Sequence, residues 1–209
     1  GGYAFRSEDS VPMSNTQLVR MGNLYQNKLD LTRSPIFYPD HFAQQYVRFV
    51  LKAGDLIMSL TGTSGKEDYG FTVELEHVPT TLLLNQRVAR VDIISDKIVR
   101  DFLFYFLLSR KFLDQLYQTA KGMKQANLST YAMKQLKVLV PGIAEQKGIA
   151  DYFRAIDRRN NIHQKRVDNL RDLFRTILHR LMTAEIRVHE LDLSELRQDN
   201  TAEASCGSV

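Results

Sequence analysis

From Phe153 to Leu191 the residues Phe153, Ile156, Asn160, His163, Val167, Leu170, Phe174, Ile177, Leu181, Ala184, Val188 and Leu191 follow one another at alternating steps of three and four. All but Asn160 and His163 are apolar, which is the seam of a heptad helix rather than the broader face of a globular one. The stretch from Gly148 to Leu191 would make about 65 Å of helix at 1.5 Å per residue. A helix of that length cannot bury its seam alone. Another long helix must lie along it, from a second copy, from a missing part of this chain or from a partner subunit. Asn160 and His163 fit two readings: a register device that penalises misaligned partners, or a splayed portion where both side chains reach water.

Residues 1–147 differ in kind. Strand-like stretches with turn signals alternate with one strong helix, so the fold class expected is α+β: a globular mixed domain over 1–147, a long coiled-coil-forming helix over 148–192 and a polar, mobile tail over 193–209. Strands are expected at Val47–Leu51, Leu56–Leu60, Arg87–Ile93 and Lys137–Val140, the last stopped by Pro141-Gly142. Ile98–Leu116 is expected to be one helix, with Phe102, Phe106, Leu113 and Leu116 on its buried face. Two polar loops stand out. One is Thr61–Gly70 with three glycines, and the other is the basic run Lys121-Gly122-Met123-Lys124-Gln125-Ala126-Asn127.

Composition excludes several classes. The 209 residues are 44% hydrophobic and 25% charged, which is globular rather than disordered. The single cysteine, Cys206, rules out an intrachain disulfide, a cysteine-rich zinc site and a CxxC pair, and fits a reducing cytoplasm. The longest apolar run, Phe102–Leu108, is far short of the ~20 residues that cross a bilayer, so no membrane partner is expected. The opening Gly1-Gly2-Tyr3-Ala4-Phe5-Arg6 carries neither a signal peptide nor an initiator methionine and is compatible with a fragment. The net charge of +4 is unevenly spread: residues 1–100 are neutral, 101–147 and 148–180 are each +4, and the remainder is −4. Such a basic middle third is compatible with a nucleic-acid footprint.

Catalytic motifs fail on spacing. Gly62-Thr63-Ser64-Gly65-Lys66 lacks the first glycine and the final Ser/Thr of a phosphate loop, since Leu60 and Glu67 stand there. No carboxylate-x-Lys follows Asp55, Glu67, Asp68, Glu74 or Glu76 at strand spacing to position an attacking water. The five histidines show no zinc-binding grouping, and Ser59, Ser64 and Ser129 show no nucleophile elbow. A non-catalytic binding module on a helical arm is what remains, with loops of Thr, Ser, Asn, Gln, Lys and Arg that reach base edges and phosphates. Two alternatives stay open: an oligomerisation protein that binds no DNA, and a magnesium-dependent nuclease using Asp55.

Specific residues add a resemblance. Val138-Leu139-Val140-Pro141-Gly142-Ile143-Ala144-Glu145-Gln146-Lys147-Gly148-Ile149-Ala150 resembles the vPxxxEQxxIA junction between recognition domain and long helix in Type I restriction-modification specificity subunits. Gly54-Asp55-Leu56-Ile57 is similar to that family's GDIL strand, Asn85-Gln86 to its NQ, and Gly122-x-x-Gln125-x-Asn127-Leu128-Ser129 to its GxxQxNLS loop. Gly2-Tyr3-Ala4-Phe5-x-Ser7 looks like the start of such a domain.

The resemblance implies a bacterial host-defence role in the cytoplasm. Two target recognition domains, spaced by two antiparallel helices, each read half of a bipartite site on double-stranded DNA. Methyltransferase subunits carrying S-adenosylmethionine then methylate adenine, and motor-nuclease restriction subunits, which use ATP and Mg2+, cut unmodified DNA. The specificity subunit binds no cofactor and is not an enzyme. With one domain and one helix, this chain corresponds to half a subunit, either a homodimerising half-length protein reading an interrupted palindrome or a fragment. Expected DNA contacts are Lys66, Tyr69, Lys121, Lys124, Gln125 and Asn127, with Arg20, Asn23 and Arg87 as further candidates. Lysines would hold phosphates, and Gln125 or Asn127 would pair with an adenine edge or, alternatively, cap their loop. Asn85-Gln86 is expected to be structural. Phe153, Ile156, Asn160, His163, Val167, Leu170, Phe174, Ile177 and Leu181 would face the other helix.

Overall fold

Two apolar runs, Leu82–Leu84 and Leu56–Met58, form strands covered on both faces, and the first domain is organised around them. In the computed structural model, which describes residues 1–63, 66–119, 126–128 and 130–187, the order begins with β1 (Thr16–Val19), β2 (Leu24–Tyr25), β3 (Lys28–Leu29), β4 (Phe37–Tyr38) and α1 (His41–Gln45). It continues with β5 (Val50–Leu51), β6 (Leu56–Ser59), β7 (Thr61–Gly62), β8 (Thr72–Glu74), β9 (Thr81–Leu84) and β10 (Val88–Val91). Helices α2 (Arg100–Leu108) and α3 (Arg110–Thr119), strand β11 (Ala126–Asn127), α4 (Thr130–Lys134) and α5 (Ile143–Met182) complete it. The chain is α+β and divides into two units, Gly1–Phe153 and Arg154 onward.

One sheet runs β4-β1-β9-β5, with β1 and β9 parallel and the outer pairs antiparallel. A second runs β10-β6-β8, antiparallel throughout. Alternation along the strands distributes side chains among three apolar clusters. Leu18 and Leu83 pack with Tyr38 and Phe42, whereas Val19, Leu82 and Leu84 pack with Ile57, Val73 and Val88. Met58, one residue after Ile57, turns to the other face and joins Leu103, Leu107, Phe112 and Leu116 of α2 and α3. No helix among the described residues is long and apolar enough to cross a membrane.

Several expectations are corrected. The single helix over Ile98–Leu116 is two helices, because Ser109 takes an extended conformation (ψ 145°), its hydroxyl donating to Phe106 O and accepting from Phe112 N. A serine that can cap a new helix competes with continuing the old one. Val47–Phe49 forms a 3-10 turn, leaving only Val50–Leu51 as strand. Lys137–Val140 joins no sheet; the side-chain amide of Gln115 takes a neighbouring strand's place, accepting from Lys137 N and donating to Lys137 O. The long helix begins at Ile143, five residues before Gly148, and stops at Met182. Ala184 then adopts a left-handed φ of 57°, with Ala184 N donating to Leu181 O at 3.2 Å and Ile186 N to Arg180 O at 3.1 Å, a left-handed stop on a non-glycine residue. The helix is therefore about 60 Å long. Val188, Leu191 and the tail 193–209 lie outside the described residues.

Candidate nucleic-acid interface

The two loops singled out by composition meet. Strand β7 at the start of the glycine-rich loop pairs antiparallel with β11 at the end of the basic loop, Thr61 opposite Asn127 and Gly62 opposite Ala126, and Leu128 N donates to Leu60 O at 2.9 Å. Lys121, Lys124 and Gln125 lie outside the described residues, yet the strand that follows them is fixed beside the glycine-rich loop.

Helix α3 holds that loop from below. Arg110 donates to both carboxylate oxygens of Glu67, at 2.7 and 3.0 Å, and its Nε pairs with Asp114 at 2.7 Å. The Tyr117 hydroxyl donates towards the carbonyls of Glu67 and Tyr69. Across the loop, Thr63 N donates to Asp68 Oδ1 at 2.7 Å, and Lys66 N to Thr63 O at 3.0 Å. The hydrogen bonds from Arg110 hold the Glu67 carboxyl below its ordinary pKa. Partial burial pushes Asp68 up, but the hydrogen bonds from Thr63 outweigh it and its pKa is lowered too. Gly70 has φ +79°, and a Cβ there would meet Leu116, so this exit turn admits only glycine. Lys66 is left exposed between these anchors.

The other expected contacts divide. Tyr69 is corrected: it is 3% exposed, packs in the core with Met58 and Leu116, and meets Tyr117 edge-on at 5.0 Å. Burial raises the pKa of its phenol. Asn23 is also interior, its amide donating to the carbonyls of Asp30 and Arg33 and its Oδ1 accepting from Arg20 N. Arg20 spends Nη2 on Ser34 O at 2.6 Å. These residues build the 30–34 loop. Arg87 is exposed on the Asn85–Arg87 turn, where Tyr3 N donates to Leu84 O and Gln86 N to Tyr3 O. Gly2 sits so close to the carbonyls of Leu84 and Asn85 that a Cβ could not fit, so Asn85-Gln86 forms a packing turn. The Gly54-Asp55 turn is likewise architectural, with Asp55 Oδ2 accepting from Lys52 N at 2.8 Å.

Gln146, in the middle of the junction motif, is 0% exposed. Its Oε1 accepts from Val99 N at 2.8 Å, and its Nε2 donates to Lys97 O at 2.9 Å and Pro141 O at 2.8 Å. It ties the first turn of α5 to the entry of α2. The Glu-Gln pair was visible in the sequence, whereas this role required the fold. The sequence reading also passed over the β2–β3 hairpin, whose two short strands are below the length at which periodicity can be read.

Along α5, Phe153 packs on Tyr105 at 5.0 Å between ring centres. In the second unit Ile156, Asn160, His163, Val167, Leu170, Phe174 and Ile177 are exposed, Leu170 at 56% and Phe174 at 66%, and Leu181 is half-buried. Ion pairs Asp168–Arg171 and Asp172–Arg175 lie among them.

A family model described as the Type I restriction modification DNA specificity domain matches residues 15–171. The Type I restriction enzyme MjaVIII specificity subunit of Methanocaldococcus jannaschii is 31% identical over 158 residues, covering 75% of this chain and 36% of that protein. The putative type I restriction enzyme MjaX specificity subunit of the same organism is 23% identical over 167 residues, covering 80% and 34%. The chain thus spans about a third of the length of these curated relatives. A solved chain from work on complex assembly and conformational transition of the type I R-M system shares the fold with a TM-score of 0.53 at 15% identity, covering 84% of this chain and 40% of that one.

Proposed function

The chain belongs to the Type I restriction-modification DNA specificity family, and from that premise we propose that it reads one half of a bipartite site on double-stranded DNA for a methylating and restricting complex in the cytoplasm. The pairing of β7 with β11 carries this reading, because it brings the backbone at the end of the basic loop beside the start of the glycine-rich loop, two segments distant in sequence. Lys66, Lys121 and Lys124 neutralise phosphates, and Gln125 or Asn127 meets a base edge; Arg87 is a further phosphate contact. The architectural parts of the site, from the Arg110–Glu67 pair to Gly70, hold the loop in advance of binding, so less ordering entropy is lost on contact.

The α5 seam packs against a second long helix, supplied by another copy or by the other half of a longer subunit. The exposure of Leu170 and Phe174 supports this, since seam residues gain from burial only against such a partner. Methyltransferase and restriction subunits supply S-adenosylmethionine, ATP and Mg2+ chemistry; this chain contributes no catalytic group. Adenine methylation is to be mapped across a genome in cells expressing the methyltransferase subunit with and without this chain. A bipartite motif that appears only with the chain is expected, and a palindromic motif means a homodimer. Absence of any chain-dependent motif overturns the proposal.

A further inference from the structure

Among the described residues, four non-glycine residues have positive φ, and three of them, Gln26, Asn27 and Ser34, lie within nine residues of one another. Gln26 (φ 52°) and Asn27 (φ 58°) form the two-residue turn of the β2–β3 hairpin, with Leu24 opposite Leu29 and Tyr25 opposite Lys28. Two successive left-handed residues are the type I′ signature, a turn that Asn-Gly makes at least cost. Asn27 is a natural occupant, and its Oδ1 accepts from Thr72 N at 2.9 Å. Glutamine is not, because its longer side chain offers the turn no local hydrogen bond in return for the left-handed backbone. Strain kept at an exposed residue points to a use for its side chain.

The surroundings say what that use is. Tyr25 (51% exposed), Gln26, Lys28 and Arg33 are all solvent-facing. The Arg33 guanidinium lies 5.3 Å above the Tyr25 ring, and the Asp30 carboxylate is turned to the backbone and hydroxyl of Thr32. The hairpin is rigid at its base: Tyr25 meets Phe71 edge-on at 5.7 Å, and Asn27 holds Thr72. Phe71 and Thr72 directly follow Gly70, the exit of the glycine-rich loop, so the hairpin is braced on the segment that leaves that loop. An exposed amide flanked by two cations on a braced turn matches groove readout, the amide bidentate to adenine and the cations on phosphates.

We propose that the β2–β3 hairpin is a further DNA-reading element, with Gln26 contacting a base edge and Lys28 and Arg33 the adjoining phosphates. This rests on the DNA-reading function proposed above. The test is selection of bound duplexes from a randomised pool by the chain assembled with its methyltransferase subunit. It compares wild type with Gln26→Gly, which suits the left-handed backbone and should melt no lower than wild type. Gln26→Gly is expected to relax preference at one or two adjacent base pairs by roughly tenfold and to leave the other positions unchanged. The double variant Lys28→Ala/Arg33→Ala is expected to keep the motif and flatten the salt dependence by about two counterions. An unchanged motif with Gln26→Gly, or an unchanged salt slope with the double variant, overturns the proposal while leaving the DNA-reading function standing. Failure of the wild-type assembly to select any sequence overturns both.

Discussion

Replacing Gln146, itself fully buried, with alanine removes the acceptor of Val99 N and the donor to Lys97 O and Pro141 O, all within 2.9 Å. Each such bond contributes about 1 kcal/mol net, but a group left unpaired when its partner is removed costs about 1–3 kcal/mol. Carbonyls with a second lone pair stand at the low end. Three orphaned groups together give about 3–5 kcal/mol, which at 2–4 °C per kcal/mol lowers Tm by about 6–20 °C. The chain has no tryptophan, so tyrosine near-UV circular dichroism is the appropriate signal. Gln146→Glu sharpens the test. A carboxylate still accepts from Val99 N but turns negative charge towards two carbonyl oxygens, so the variant should be at least as unstable as alanine at pH 7. Burial raises the new carboxyl's pKa above its unfolded value, so the penalty is present above the folded pKa and is relieved as pH falls through it. A Tm loss under about 3 °C for Gln146→Ala, or wild-type stability for Gln146→Glu at pH 7, would refute the reasoning.

Lys66→Ala should weaken DNA binding and reduce the salt slope by about one counterion, with the base preference intact; an unchanged slope removes Lys66 from the phosphate set. Leu170→Asp/Ile177→Asp places two carboxylates in the α5 seam, and mass in solution or partner capture should show loss of association; no change means the seam is misplaced. The Glu67 carboxyl should titrate below the ordinary glutamate value by NMR because of the hydrogen bonds from Arg110, and Arg110→Ala should return it upward. Because the folded pKa is lowered, the Glu67 contribution to loop order is present above the unfolded pKa and is lost as pH falls through the folded value. Protection of the loop amides should decline in that acidic window, and a Glu67 midpoint indifferent to Arg110 would contradict the clamp.

The long helix, the α+β class and the turn at Gly54-Asp55 were legible in the sequence because each depends on local periodicity or backbone chemistry. The same is true of the junction motif around Gln146. Errors came where a tertiary neighbour outweighed local pattern. Ser109 ended a helix that apolar spacing alone would continue, and Gln115 satisfied the backbone of Lys137 where a strand was expected. Tyr69, polar in its loop context, was drawn into the core between Met58 and Leu116. Asn23 was consumed by the carbonyls of a neighbouring loop.

By itself the sequence determined that a mixed α/β domain precedes a long helix along which apolar residues recur at alternating steps of three and four, a local pattern that lines up those side chains whatever surrounds them. Only the tertiary structure decided which polar residues face outward and which loops stand together. The meeting of Thr61–Gly62 with Ala126–Asn127, and of the Gln26–Asn27 turn with Thr72, joins segments some 45 to 65 residues apart. Such pairings are set by backbone hydrogen bonds and shared core packing across the fold, which no local pattern encodes.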